Sequence, residues 1–201
     1  MILISHRRNT IDQIAGTPRE FGAEIDIRTR GNDIIIQHDP FLKGTLLIDW
    51  LKYYDHKLLI LNVKEEGLEE RLIELMADYK IESFFFLDQS FPFLIKTSSR
   101  GEKRCAVRLS EYESINTVLA LENKVQWVWI DYFTRLPIDY MDYQSLKKAG
   151  FSLCIVSPEL QGFEKDMIQD VKQQLKHNSI RMDAVCTKYP ESWKMKLSAE
   201  F

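Results

Sequence analysis

Two acids separated by one residue, Glu24 and Asp26, sit inside the apolar run AEIDIR at 23–28. Alternate residues of an extended strand share a face, so both carboxylates project to one side. At roughly 6 Å and an effective dielectric near 20, two such charges repel by about 3 kcal/mol. A fold accommodates them if one carboxyl keeps its proton or if a cation lies between them. An oxygen-rich site of this kind suits Mg2+ or Ca2+. Arg30-Gly31-Asn32 then gives a hairpin signal, and the returning run ends in His38-Asp39. With the turn centred on Gly31, Glu24 faces His38 and Asp26 faces Ile36; a one-residue slip would undo that pairing. His6 ends the first apolar run with Arg7 beside it, and Lys64 ends KLLILNVK. Two imidazoles near a divalent cation, with Arg7 and Lys64, make a phosphate site. The cation and the basic groups stabilise charge on phosphoryl oxygens. One imidazole takes a proton from the attacking hydroxyl or water, and the other protonates the leaving alkoxide. His56 and His177 read as structural.

These residues need a scaffold that brings distant strand ends together. Short β-type runs lie at 1–5, 23–28, 57–64, 83–88, 105–110, 126–132, 151–157 and 182–187. Amphipathic spacing predicts helices over Thr45–Tyr54, Gly67–Tyr79, Ser114–Glu122, Tyr140–Ala149 and Phe163–Lys176. The weakest helical intervals are the first, broken by Gly16 and Pro18, and the one around Phe91–Ser99. Alternating strand and helix implies a parallel sheet, and eight such strands suit a compact α/β architecture, the (β/α)8 TIM barrel. In KLLILNVK, Leu58, Ile60, Asn62 and Lys64 run from apolar to polar and suit a barrel interior ending at its C-terminal mouth. Leu59, Leu61 and Val63 suit packing under helices. Other strands also end in polar groups: Asp88, Arg108, Asp131, Glu159 and Thr187. An open doubly wound sheet would equally place function at C-terminal strand ends.

The chain has 201 residues, 45% apolar and 28% charged, which fits a single domain over 1–201. A net charge of −3 gives no signal for nucleic-acid binding. No apolar run is long enough to span a bilayer, MILISHRR is too soon charged for a secretory signal, and nothing speaks to an oligomeric state. Cys105, Cys154 and Cys186 are far apart in apolar stretches, which reads as free buried thiols in a reducing, cytoplasmic compartment. Trp127 and Trp129 read as core, and Glu65-Glu66 as a helix cap. Arg108 is a candidate contact to a phosphate or carboxylate of the substrate, or an ion-pair partner of Asp88 or Asp131. Ser157-Pro158-Glu159 is a candidate polyol pocket, with Glu159 binding substrate, or a loop turn.

SHRRN after the first strand, Glu24-x-Asp26, Thr29-Arg30-Gly31, His38-Asp39-Pro40, LNVK at 61–64 and DAVCTKYP at 183–190 together resemble the glycerophosphodiester phosphodiesterase family. The resemblance runs in family order along nearly the whole chain, and the stretch 22–40 is its specific part. It implies a (β/α)8 barrel that hydrolyses small phosphodiesters with a divalent metal. His6 and His38 would be the acid–base pair, Glu24 and Asp26 metal ligands, and Arg7 and Lys64 phosphate contacts. Four positions depart from the family pattern. Arg8 stands where a glycine is usual, and the following segment is shortened to Asn9-Thr10. Asn62 stands where the third metal-ligating acid is usual, which implies weaker metal binding or a substitute acid, Asp131 or Glu159. Lys188 follows Thr187 where an acid is usual. These departures point to an altered substrate side, with a glycerophosphodiester or a sugar- or nucleotide-linked phosphodiester as substrate. They also leave two other readings: a non-catalytic binder of a phosphorylated ligand, and a metal-free lyase forming a cyclic phosphate with Arg8 in place of the metal's charge.

Overall fold

The computed structural model describes residues 1–194; residues 195–201 of the expected domain lie outside the described part. Every predicted β-run forms a strand: β1 (Ile2–Ser5), β2 (Gly22–Arg30), β5 (Leu59–Val63), β6 (Phe84–Leu87), β7 (Ala106–Leu109), β8 (Trp127–Ile130), β9 (Ser152–Val156) and β10 (Ala184–Thr187). The hairpin arm adds β3 (Asp33–Ile36) and β4 (Thr45–Leu46). Helices α1 (Ile11–Ala15), α2 (Leu47–Leu51), α3 (Glu69–Asp78), α4 (Phe91–Ser99), α5 (Ile115–Leu119), α6 (Tyr140–Lys148), α7 (Met167–His177) and α8 (Pro190–Trp193) occupy the intervals.

Parallel ladders run β6-β5-β2-β1-β10-β9-β8-β7, while β3 and β4 add antiparallel strands beyond β2. The architecture is a mixed α/β fold around a curled parallel sheet. The expected closed barrel is not carried by a continuous ladder, because β6 and β7 meet through one bridge, Phe86 to Cys105. There Phe86 N donates to Arg104 O at 2.8 Å. Arg104 N, which faces β6 there, is taken by Glu102 Oε1 at 2.8 Å.

Burial follows the strand alternation. Leu58 and Ile60 belong to an inner cluster with Ile4, Phe85, Trp127 and Trp129. Leu59, Leu61 and Val63 belong to the outer cluster under the helices. Trp127 stacks on Phe85 with centroids 4.7 Å apart. A buried aromatic of this size removes enough area to contribute on the order of 4–6 kcal/mol. Capping Thr10 and Gln13 hold α1 to a single short stretch before Gly16. The weak Phe91–Ser99 segment forms all of α4, with Pro92 in its first turn where no N–H is needed.

Several expectations are corrected. The helix predicted from Thr45 is shorter, because Thr45 and Leu46 pair with β3 first. The helix predicted from Phe163 starts at Met167, after a 3-10 turn at Pro158–Gln161. Glu65 caps no helix; it accepts from Thr29 N at 3.0 Å and from Thr29 Oγ1 at 2.5 Å, and α3 begins only at Glu69. The hairpin register is one residue away from the one expected. Arg30 pairs with Asp33 and Ile27 with Ile36, so Gly31-Asn32 is a two-residue turn. Gly31 has φ +63, the left-handed conformation such a turn needs at its first position. Glu24 and His38 are therefore not cross-strand partners, and His38 lies past the end of β3.

Among the described residues no helix is long and apolar enough to cross a membrane. Cys105, Cys154 and Cys186 are free and buried.

The start of β2 is packed against both its neighbours. A Cβ on Gly22 would lie 2.7 Å from Leu58 O and 2.9 Å from Ile4 Cγ1. A backbone oxygen cannot step aside, so Gly22→Ala is expected to destabilise by about 1–3 kcal/mol. Urea unfolding measures this, and a midpoint equal to wild type would mean that β1 and β5 do not approach so closely.

Candidate active site

The segment after β1 wraps both acids. His6 N donates to Thr187 O at 3.0 Å, which carries the β1–β10 pairing one step further and delivers His6 to the C-terminal strand ends. Arg7 then takes φ +50, a left-handed conformation costing an L-residue roughly 1–2 kcal/mol. The turn aims Arg7 N at Glu24 Oε2, 2.7 Å away. Arg8 N donates to Glu24 O at 2.8 Å, and Arg8 O accepts from Trp50 Nε1 at 2.7 Å. Arg8 is outside the left-handed region, so an arginine there in place of glycine causes no such strain. Asn9 clamps Asp26 twice: Nδ2 donates to Oδ2 at 2.8 Å, and Oδ1 accepts from Asp26 N at 3.1 Å. On the neighbouring strand Asn62 pairs with Asp26, and its Nδ2 donates to Glu24 Oε1 at 2.9 Å.

Glu24 and Asp26 are each 1% exposed. Burial first, and the Asp26 charge second, push the Glu24 carboxyl up to about 7, against the Arg7 N–H, the Asn62 amide and the Lys64 charge. Lys64 Nζ lies 3.5 Å from Asp26 Oδ1 and 3.1 Å from Asp88 Oδ2, while Arg7 Nε lies 3.6 Å from Asp26 Oδ2. Asp26 Oδ1 and Asn62 Oδ1 are buried without a hydrogen-bond donor. Those two oxygens, together with the buried Glu24 carboxylate, are a donor set for a hard divalent cation. Glu24, Asp26 and Asn62 therefore fit Mg2+ or Ca2+ in kind, with the amide supplying a third, uncharged oxygen. Among the described residues no third His, Cys, Asp or Glu joins the pair.

The substitute acids are engaged elsewhere. Asp131 accepts from Arg108 Nη2 at 2.5 Å and from Gln161 Nε2 at 2.8 Å. Glu159 turns inward, accepting from Ser157 Oγ, from Thr187 Oγ1 at 2.5 Å and from Lys188 N at 2.9 Å. With both oxygens so occupied, Glu159 holds the β9 and β10 ends together and presents no free oxygen to a polyol. Arg108 forks between Asp88 Oδ1, 2.6 Å away, and Asp131, with Glu113 at 3.8 Å. Of its two expected roles, the ion pair is the one in place.

The two imidazoles differ. His6 Nε2 is 3.8 Å from Glu24 Oε2. Burial, and after it the charges of Arg7, Lys188, Arg8 and Lys64, lower its pKa to about 3. His38 is half-buried, and its Nδ1 lies 2.8 Å from Asp39 Oδ1. Its carbonyl accepts from Arg28 Nε at 2.9 Å, and Arg28 Nη1 reaches Lys64 O at 3.3 Å. Arg28 thus ties the His38 loop to the end of β5. Sequence reasoning missed Arg28, although it continues the Glu24, Asp26 alternation by one more step. Asn9 carries no spacing signal for its clamp on Asp26, 17 residues away.

Solved structures share this arrangement of elements. A glycerophosphoryl diester phosphodiesterase from Parabacteroides distasonis ATCC 8503 superposes with a TM-score of 0.67 at 11% identity, covering 95% of this chain and 84% of that one. A glycerophosphodiester phosphodiesterase from Agrobacterium tumefaciens str. C58 gives 0.66 at 15% identity, covering 96% and 97%. The chain has the fold of glycerophosphodiester phosphodiesterases. No protein-family model matches its sequence, and no curated protein does.

Two outcomes are expected of the acids. Folded Glu24 keeps its proton to about pH 7, whereas the unfolded chain releases it near 4.5. Its contribution to stability is therefore full below pH 4.5 and lost as pH rises to 7. His6 works in the opposite sense: neutral when folded down to about 3, it stabilises above pH 6.5 and loses that contribution as pH falls. In metal-free protein Glu24→Gln should remove the first trend and uncover the second, so its urea midpoint climbs more steeply than wild type from pH 4.5 to 6.5. Parallel profiles would mean Glu24 ionises normally. Asn62→Asp should lower the melting temperature without metal and tighten calcium or magnesium binding about tenfold, through the added ligand charge. Calorimetric titration reads the affinity, and an unchanged one would remove position 62 from the ligand set.

Proposed function

We propose that this chain is a phosphodiester hydrolase assisted by Mg2+ or Ca2+, acting on a glycerophosphodiester or a related sugar- or nucleotide-linked phosphodiester. What carries this is the trio Glu24, Asp26 and Asn62 on adjacent strands, with Asp26 Oδ1 and Asn62 Oδ1 buried without donors and His6 Nε2 3.8 Å from Glu24 Oε2. The names of the structures sharing the fold support the same substrate class. The curled sheet reads as a (β/α)8 barrel with its seam between β6 and β7, which is consistent with a site at the strand C-termini.

A bound divalent cation would supply Lewis-acid stabilisation of the phosphoryl oxygens. The chain supplies the rest. His38 is the general base: Asp39 at Nδ1 fixes the tautomer and leaves Nε2 to take the proton of the attacking oxygen. His6 is the general acid. It rests neutral because it is buried and, after that, because Arg7, Lys188, Arg8 and Lys64 lie near it; an anionic substrate that offsets those charges lets it take up from solvent the proton it then gives to the leaving alkoxide. Lys64, shared between Asp26 and Asp88, faces the phosphate, and Arg7 stands beside it. Arg28 holds the His38 loop in register with Lys64.

One observation favours a second reading. The Asn62 amide donates to Glu24 where a third acid would otherwise stand, which suits a protein that binds a phosphorylated ligand without turning it over. Hydrolysis of small phosphodiesters with Mg2+, Ca2+ or chelator separates the two. Turnover that stops with chelator is expected, and His6→Ala and His38→Ala should each lower it by 100-fold or more. No turnover on any diester, with thermal stabilisation by glycerol phosphate, would favour the binder. Turnover surviving chelation would replace the metal route with a lyase.

A further inference from the structure

Most cations at the strand C-termini already have acidic partners. Arg7 lies on Asp26, Lys64 between Asp26 and Asp88, Arg28 near Glu65, and Arg108 on Asp88 and Asp131. Arg8 and Lys188 differ: neither has a carboxylate within ion-pair distance among the described residues. The Arg8 Nε is buried and has no hydrogen-bond partner. A guanidinium N–H sunk in the protein without an acceptor is costly, and an anion arriving from solvent removes that cost.

The β1–β10 register places the two residues just past the ends of neighbouring strands. Ser5 pairs with Thr187, and His6 N donates to Thr187 O. The chain therefore leaves β10 at Lys188 where it leaves β1 at His6, with Arg8 two residues further on. Lys188 N is pinned by Glu159 Oε1 at 2.9 Å, while its side chain is exposed. Both charges act on the His6 imidazole. A phosphodiester carries one negative charge, which Lys64, Arg7 and a divalent cation already face. Arg8 and Lys188 are in excess of what that group needs.

We infer that the site takes a phosphodiester bearing a second anionic group, a terminal phosphate or a carboxylate, and that Arg8 and Lys188 hold this group. The inference rests on the phosphodiesterase reading of the same site and narrows its substrate class.

Two measurements test it. Metal-free protein is titrated calorimetrically with inorganic pyrophosphate and with orthophosphate. Hydrolysis is then compared for two glycerol phosphodiesters differing only in a carboxylate on the alcohol, a 2-carboxyethyl ester and a propyl ester. Wild type is expected to bind pyrophosphate about tenfold or more tightly over orthophosphate, and to prefer the carboxylate ester in kcat/KM by a similar factor. Arg8→Gln and Lys188→Gln should each shrink both ratios several-fold, and Arg8→Lys should restore part of the loss. Lys188 is exposed, so its variant reads the inference even if Arg8→Gln folds poorly. Equal binding of the two anions, or variants that weaken both alike, would overturn the second subsite. Hydrolysis without carboxylate preference would overturn it and leave the phosphodiesterase reading standing. A pyrophosphate preference lost in both variants, with no turnover on any diester, would support the subsite and overturn the hydrolase.

Discussion

Burying Glu24 and Asp26 side by side is the constraint around which the strand ends are arranged. Two ionised carboxylates at 1% exposure cannot rely on water, so the surrounding chain must offset their charge or let one keep its proton. The segment after β1 does most of this with its backbone. Arg7 accepts a left-handed φ so that its N–H reaches Glu24, and Asn9 turns both ends of its amide to Asp26. Asn62 reaches Glu24 from the neighbouring strand. Yet Asp26 Oδ1 keeps no hydrogen bond, with only Lys64 nearby. The compensation of Asp26 by hydrogen bonds is thus incomplete.

A second device holds the rim. Lys64 follows β5, Asp88 follows β6, Arg108 lies on β7, and Asp131 follows β8. They form one chain of ion pairs: Lys64 to Asp88 at 3.1 Å, Asp88 to Arg108 at 2.6 Å, and Arg108 on to Asp131. The middle link crosses from β6 to β7, where the ladder is reduced to a single bridge. A charge-assisted contact at the strand ends thus spans the gap that backbone pairing leaves. Asp88 sits at φ +60, a conformation that only surrounding structure sustains in a non-glycine residue. Removing either Asp88 or Arg108 would strand the other's partners in a half-buried setting, so this network acts on position as well as on charge.

Much of this was legible from the residues. The strand runs and the two faces of KLLILNVK follow from period-two alternation, because a buried parallel strand has few other ways to sort its side chains. The Glu24-x-Asp26 pair pointed to a charged cluster for the same reason. What was not legible depends on geometry that strings of residue types do not encode. The hairpin register turned on whether the two-residue turn included Asn32, a matter of backbone dihedrals at one glycine. Glu159 ends a strand just as a rim ligand would, but donors from Ser157, Thr187 and Lys188 turn it inward. Glu65 resembles a helix cap, but Thr29, across the β2–β5 pairing, claims it. In the last two cases a contact between distant segments outweighed a local preference.

The same contrast separates the two histidines. His38 has its Nδ1 against its own neighbour, Asp39, so its tautomer is set locally. His6 owes its state to burial first and then to cations from several segments: Arg7 and Arg8 beside it, Lys64 after β5 and Lys188 after β10. Its proton affinity is thus a property of the whole opening, low while those charges stand unopposed and higher once an anion lies among them. An imidazole governed in this way gains proton affinity when a negative charge is brought among those cations. Positive surroundings that add to burial in keeping His6 neutral would also draw an anion in, so anion binding and proton uptake at His6 would be linked through one set of charges.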